Sequence, residues 1–168
     1  MRSKKSYTIS YFAILMAVAL ILSYIESLFS GFIPVPGVKI GLSNVVVVYI
    51  LYEYGFLPAL GFGISKSLLA SFFTGRISSI IFSLFGIILS VCIMALIKKS
   101  NKFSLFGVNV SGAIIHIIGQ ITAASFVLGT PGVWTFLPWI ALIAVASGIV
   151  TYLILISVFK VKNYNKNS

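Results

Sequence analysis

Long apolar runs, separated by short polar or proline- and glycine-containing breaks, occupy almost the whole chain. The six runs span about 9–27, 40–54, 57–73, 79–96, 108–128 and 134–159. An α-helix rises ~1.5 Å per residue, so about 20 apolar residues cross a hydrocarbon core of ~30 Å. The pattern predicts an all-α integral membrane protein whose six transmembrane helices form one domain over residues 1–168. The second and third runs are short for a full crossing, and a shallow hairpin is the alternative for them.

Composition supports the bilayer as the solvent of this chain. Apolar residues make up 60% of the sequence and charged residues 8%, with a mean hydropathy of +1.14. A soluble domain of this size must present a large surface to water, which so few polar residues do not provide. Polar stretches are confined mainly to the two tails, 1–8 and 160–168, and to the connection near residue 100.

The formal net charge of +10 indicates a membrane topology rather than nucleic-acid binding. Nine of the twelve basic residues lie in the tails and in one connection: Arg2, Lys4, Lys5, Lys98, Lys99, Lys102, Lys160, Lys162 and Lys166. No basic face with interleaved aromatic residues is present, so no nucleic-acid partner is predicted. Because positive charge concentrates on the cytoplasmic side of membrane proteins, we expect both termini in the cytoplasm and a multi-pass protein of the prokaryotic plasma membrane.

The three remaining cations, Lys39, Lys66 and Arg76, lie inside or beside apolar runs. Cations at membrane depth are costly and usually functional. In the predicted topology Glu26 lies ~26 Å along the first helix and Lys66 ~14 Å along the third, so all of these groups fall at or above the midplane. A site for an anionic molecule is predicted there. The alternatives are a structural Lys66–Glu26 ion pair, a solvated Arg76 and an interfacial Lys39.

The fifth run carries a stripe of small and polar residues. Gly112, His116, Gly119, Gln120 and Ala123 recur at spacings of three and four, which places them on one helix face. The stripe is compatible with interhelical hydrogen bonding through His116 and Gln120, and also with their direct contact to a ligand. With Asn44 at the start of the second run, they complete the predicted outward-facing pocket.

Catalysis is not predicted. The chain contains no aspartate and two glutamates, whereas metal-dependent diphosphate and phosphoryl chemistry needs carboxylates that hold divalent ions. Neither a Ser-His-acid constellation nor a glycine-rich phosphate loop is recognisable, and the lone Cys92 provides no thiolate metal site. We therefore predict no catalytic residues, no metal site and no cofactor. In the first run Ala13 and Ala17 have the small-xxx-small spacing that allows close helix approach, either within this chain or to a partner subunit.

Three stretches resemble a known family: LSYIE at 22–26, PVPGVKIGLSN at 34–44 and GAIIHIIGQ at 112–120. They are similar to the Gx transporter family, labelled "heptaprenyl diphosphate synthase component I", which resembles the substrate-binding S components of energy-coupling factor (ECF) transporters. The signature after the first helix comprises Pro36, Gly37, Lys39, Gly41 and Asn44.

This resemblance implies a six-helix subunit that captures a vitamin-like molecule, or an isoprenoid or quinone precursor, from outside. It also implies docking on a shared coupling transmembrane subunit driven by two ATPases, with Ala13 and Ala17 as the alanine pair at that interface. The alternative is an accessory membrane component of prenyl or quinone synthesis, or of flavin-based extracellular electron transfer. No residue selects among these substrates.

Overall fold

Helices are the only regular elements in the part of the chain that the computed structural model describes, which is residues 2–29, 39–75, 77 and 79–167. The bounds are α1 Arg2–Phe29, α2 Asn44–Glu53, α3 Phe56–Phe73, α4 Ser79–Lys99, α5 Leu105–Leu128 and α6 Leu137–Asn167, with a 3₁₀ helix at Pro131–Phe136 before α6. The predicted all-α fold with six helices is confirmed. The predicted loop at 31–38 and Arg76 lie outside the described residues.

Five of these helical segments are long and apolar enough to cross a bilayer: Ser6–Phe29, Phe56–Phe73, Ser79–Lys99, Leu105–Leu128 and Pro131–Lys162. The helix α2 has ten residues, or ~15 Å, about half of a hydrocarbon core. It is therefore too short to be a full span, so five of the six predicted transmembrane helices are long enough to cross the bilayer. Residues 2–8 and 160–167 of the polar tails continue α1 and α6 as helix, and the cytoplasmic location of the tails remains a prediction.

The short helix α2 forms the centre of the bundle. Seven consecutive residues, from Val45 to Leu51, are buried, so every face of this helix is covered by protein. It packs against α1, α3, α4 and α6. Because its N-terminal end lies within the bundle, side chains from other helices must satisfy the backbone amides that remain unpaired there. The C-terminal end is more exposed, at Glu53 and Tyr54.

The helices α4 and α5 approach each other closely through glycine. A Cβ atom on Gly119 would lie 2.9 Å from the Cα atom of Gly86. A Cβ atom on Gly86 would lie 2.8 Å from the His116 carbonyl oxygen and 2.9 Å from the Gln120 Cγ atom. The absence of side chains at these two positions therefore lets α4 contact the face of α5 that carries His116 and Gln120.

Candidate functional site

A group of polar side chains converges at the N-terminal end of α2. One small cavity is lined by Ser23, Glu26, Lys39, Gly41, Ser43, Asn44, Lys66, Ser67, Ala70, Ser83, His116 and Gln120, which we call the polar cluster. Six of the seven side chains predicted to form a site are here: Glu26, Lys39, Asn44, Lys66, His116 and Gln120. The seventh, Arg76, falls outside the described residues.

The polar cluster occupies one half of the bundle. Glu26 lies three residues before the end of α1, and Asn44 is the first residue of α2. Lys66 lies seven residues before the end of α3, and His116 lies near the middle of α5. The cluster therefore extends from mid-depth toward the end of the bundle that the topology predicts to be outside.

Glu26 provides the only acidic side chain among the residues of the cluster, and its side chain is 1% exposed. One carboxylate oxygen accepts a hydrogen bond from the Gly41 amide, and the carboxylate also faces the Ser43 amide. These amides precede α2, where the helix dipole is positive and N–H groups lack intrahelical partners. Glu26 therefore stabilises the buried start of α2.

Gly41 is required by the backbone at this point. Its φ angle is +95°, in the region that L side chains rarely adopt, and an added Cβ would lie 3.0 Å from Asn44 Nδ2. The chain reverses here so that the Gly41 amide points at Glu26 while Asn44 enters α2.

The two lysines of the cluster are buried, with Lys66 4% and Lys39 7% exposed. The ammonium of Lys66 donates hydrogen bonds to Ser43 Oγ at 3.1 Å and to Asn44 Oδ1. Both lysines are close enough to Glu26 for electrostatic attraction. The backbone amide of Lys39 donates to Gln120 Oε1 at 2.9 Å, which ties the entry of α2 to α5.

His116 and Gln120 form a hydrogen-bonded pair with a defined direction. Since Gln120 Oε1 accepts from the Lys39 amide, the Gln120 Nε2 group is the donor to His116 Nε2, 2.8 Å away. A neutral His116 then carries its proton on Nδ1. The backbone of Gly86 also lies close to the ring, but His116 Nδ1 makes no hydrogen bond of normal geometry within the described residues, and neither does Ser83 Oγ.

The polar cluster carries an excess of positive charge. Two ammonium groups face a single carboxylate, so the formal charge of these described side chains is +1 when His116 is neutral. Burying charge within a membrane bundle is costly. The arrangement therefore favours an anion over a neutral or cationic ligand.

The cavity in this structure is small. Its volume is about 10 Å³, at the lower limit of the roughly 10–15 Å³ that a single water needs. The cluster as it stands accommodates a water molecule, and an organic anion requires the side chains to separate.

Four serines of the cluster were not predicted: Ser23, Ser43, Ser67 and Ser83. Their spacing carries a weak signal, because Ser23 lies one helical turn before Glu26 and Ser67 follows Lys66. Serine is common on packed faces of membrane helices, so the sequence alone does not separate these four from the others.

The opposite end of α2 has its own polar contacts. Lys98 donates to the carbonyl oxygens of Leu51 at 2.8 Å and Tyr52 at 3.4 Å, and its ammonium lies 4.6 Å from the centre of the Tyr52 ring. Glu53 pairs with Lys162 of α6. Lys98 is also close enough to Glu53 for electrostatic attraction, so this end combines two lysines with one glutamate as well. Unlike the polar cluster, it is partly exposed, with Lys162 at 47% and Glu53 at 24%.

Ala13 and Ala17 both lie on the exposed face of α1. Within the described residues, neither is covered by another helix of this chain. Their role in docking a partner remains a prediction.

Comparison with known proteins identifies the family of this chain. No curated protein and no solved structure matches the chain. The model of one family, heptaprenyl diphosphate synthase component I, matches residues 15–157, which is most of the sequence. The chain therefore belongs to the heptaprenyl diphosphate synthase component I family.

Proposed function

We propose that this chain is the substrate-binding membrane subunit of an ECF-type importer, and that the polar cluster binds a small anionic molecule. The observation that carries the proposal is the meeting of two buried lysines with one carboxylate at membrane depth. Burying charge within a membrane bundle is expensive. A bound anion would neutralise the net positive charge of the cluster.

The unsatisfied donors of the cluster support the same assignment. His116 Nδ1 and Ser83 Oγ line the cavity without a protein partner of normal geometry in the described residues. An anionic oxygen accepts hydrogen bonds from neutral N–H and O–H groups as well as from ammonium groups. The donors around this cavity therefore suit a carboxylate or phosphate better than a metal ion.

The distribution of acids favours binding over catalysis. The chain has two glutamates and no aspartate. Glu26 lies at one end of α2 and Glu53, paired with Lys162, at the other. Divalent ions that activate diphosphates are held by several oxygen ligands, often carboxylates, so the family's name suggests a ligand class, isoprenoid or quinone precursors, more readily than it suggests chemistry on this chain.

Binding requires the cluster to open. Lys66 must leave Ser43 and Asn44 before its ammonium is available to an organic anion, because the cavity otherwise has room for about one water. In an importer, release would return Lys66 to these oxygens. Energy for this cycle would come from a coupling transmembrane subunit and two ATPases, docked on the exposed α1 face that carries Ala13 and Ala17.

The first experiment is mass spectrometry of small molecules released from gently purified protein, which identifies the ligand.

The second experiment compares the affinity of this ligand for the variants Lys66→Met and Lys98→Met, where Lys98 is a matched lysine at the other end of α2. We expect Lys66→Met to weaken binding about 10- to 150-fold, since a hydrogen bond to a charged group contributes ~1.5–3 kcal/mol, while Lys98→Met binds normally. Unchanged affinity in a folded Lys66→Met protein refutes the anion site.

A second candidate function is an accessory membrane component of prenyl diphosphate synthesis, favoured by the name of the family. Purification from native membranes separates the two. Co-purification of a coupling subunit with ATPases supports the importer, and a soluble prenyl synthase whose turnover depends on this chain supports the accessory role. Redox proteins as the partners would instead indicate flavin-based electron transfer.

A further inference from the structure

A second cavity opens on the side of the bundle where α1, α2 and α6 meet. Its volume is about 180 Å³, and it is lined by Tyr11, Leu15, Val18, Leu22, Val45, Val46, Tyr49, Ile154, Leu155 and Val158, which we call the lateral groove. Val18 on α1 is 44% exposed, and Ile154 and Val158 on α6 are 40% and 43% exposed. Because these residues lie within the spans, the lateral groove faces the hydrocarbon of the bilayer.

The lining of the lateral groove suits a hydrocarbon chain. Tyr11 and Tyr49 are its only polar side chains, and their hydroxyl groups are 2.8 Å apart and hydrogen-bonded to each other. All other lining side chains are aliphatic. A chain lying here therefore leaves no polar side chain of the groove unsatisfied and needs no polar groups of its own.

The lateral groove leads onto the polar cluster along two helices. On α1, Tyr11, Leu15, Val18 and Leu22 share one face at spacings of three and four, and Glu26 is the next residue on that face. On α2, the groove residue Val45 follows the cluster residue Asn44. From Tyr11 to Leu22 the groove extends ~16 Å along α1.

We infer that the lateral groove holds the hydrocarbon chain of an anionic amphiphile whose head group binds at the polar cluster. This inference rests on the proposed anion site. The charge complementarity is directional, since the cationic cluster lies at one end of an otherwise apolar path. The head group is a phosphate, diphosphate or carboxylate, and the chain lies on the side of α2 that faces α1 and α6.

The test measures three probes: inorganic diphosphate as the head alone, farnesyl diphosphate as head and chain, and farnesol as the chain alone. The groove-filling variant is Val18→Trp. The matched control is Ile21→Trp, at a residue of the same helix that is 60% exposed and does not line the groove. Lys66→Met tests the anion site separately.

We expect wild-type protein to bind farnesyl diphosphate at least tenfold more tightly than either diphosphate or farnesol. Val18→Trp should bring the affinity for farnesyl diphosphate down to that for diphosphate, which itself should not change, and Ile21→Trp should match wild type. Equal affinities for head alone and head with chain overturn the inference, as does an equal loss in both Trp variants.

Two further outcomes would separate the groove inference from the proposed anion site. Farnesol binding as tightly as farnesyl diphosphate would mean that the groove takes bilayer lipid chains, independently of the cluster, and would overturn the inference. A chain effect that is lost in Val18→Trp, combined with unchanged diphosphate binding in Lys66→Met, would remove the anion site while leaving an apolar site. Failure of the proposed function is thus distinguishable from failure of the groove.

Discussion

The two ends of α2 carry the same side-chain charges at different degrees of burial. Side chains bind the backbone groups that the helix leaves unpaired at each end. At the C-terminal end Lys98 binds the carbonyl oxygens, and the nearby Glu53 and Lys162 form a partly exposed ion pair. At the N-terminal end Glu26 binds the amides, and both lysines that accompany it are buried with it.

This difference distinguishes the side chains that cap α2 from the side chains that a ligand could contact. A carboxylate at a helix N-terminus and an ammonium at the C-terminus are each favoured by the helix dipole, so Glu26 and Lys98 are explained by the fold. Lys39 and Lys66 are not, because α2 would be capped without them. The positive charge that is buried at the N-terminal end is therefore where a ligand contributes most.

The largest effect is expected from Glu26→Gln. Removing the carboxylate leaves two buried ammonium groups without a counter-charge, and breaking such a pair costs about 3–5 kcal/mol. Unfolding in detergent, followed by circular dichroism, should show a loss of this size. The double variant Glu26→Gln with Lys66→Met should recover part of this loss. An unchanged free energy of unfolding in Glu26→Gln would mean that water already solvates the cluster.

The next largest effect is expected from alanine substitutions of the glycines at the two ends of α2, which should lower the free energy of unfolding by different amounts. Gly41 and Gly55 have φ angles of +95° and +91°, but an added Cβ meets Asn44 Nδ2 at 3.0 Å only at Gly41. We expect Gly41→Ala to lower the free energy of unfolding by about 2–3 kcal/mol and Gly55→Ala by about 1 kcal/mol. Equal costs would mean that the side chain of Asn44 moves aside freely.

A smaller effect is expected from Lys98→Met. The substitution keeps an apolar stem but removes the donor to the Leu51 and Tyr52 carbonyls, which should cost about 1–2 kcal/mol. Ligand affinity should stay at the wild-type value, since the residue lies outside the polar cluster. Weakened binding in this variant would show that the two ends of α2 are coupled.

The smallest effect is expected from Glu53→Gln. The side chains of Lys162 and Glu53 are 47% and 24% exposed, and ion pairs of this kind contribute at most about 1 kcal/mol. Thermal unfolding at low and high salt should show a small loss that salt removes. A loss comparable to that of Glu26→Gln would contradict the distinction between the two ends.

The sequence alone predicted how deep the polar side chains lie in the membrane. Counting residues from the helix ends placed Glu26, Lys66 and His116 at or above the midplane, and the structure brings them into one cavity. Depth alone was sufficient here because polar groups at membrane depth avoid lipid and therefore face each other. The serines carried no comparable signal, since a hydroxyl can bond to its own helix backbone.

The sequence by itself determined that the bilayer surrounds the chain, how many helices form and at what depth the polar groups are expected. Hydropathy and a rise of ~1.5 Å per residue are sufficient for this, because both follow from the order of residues along the chain. Only the tertiary structure decided that α2 is buried on every side, that Lys66 binds Ser43 and Asn44 and that the lateral groove adjoins the cluster. These features depend on how each helix is rotated and how closely it approaches its neighbours. That is set by packing between distant residues such as Gly86 and Gly119, which no local pattern encodes.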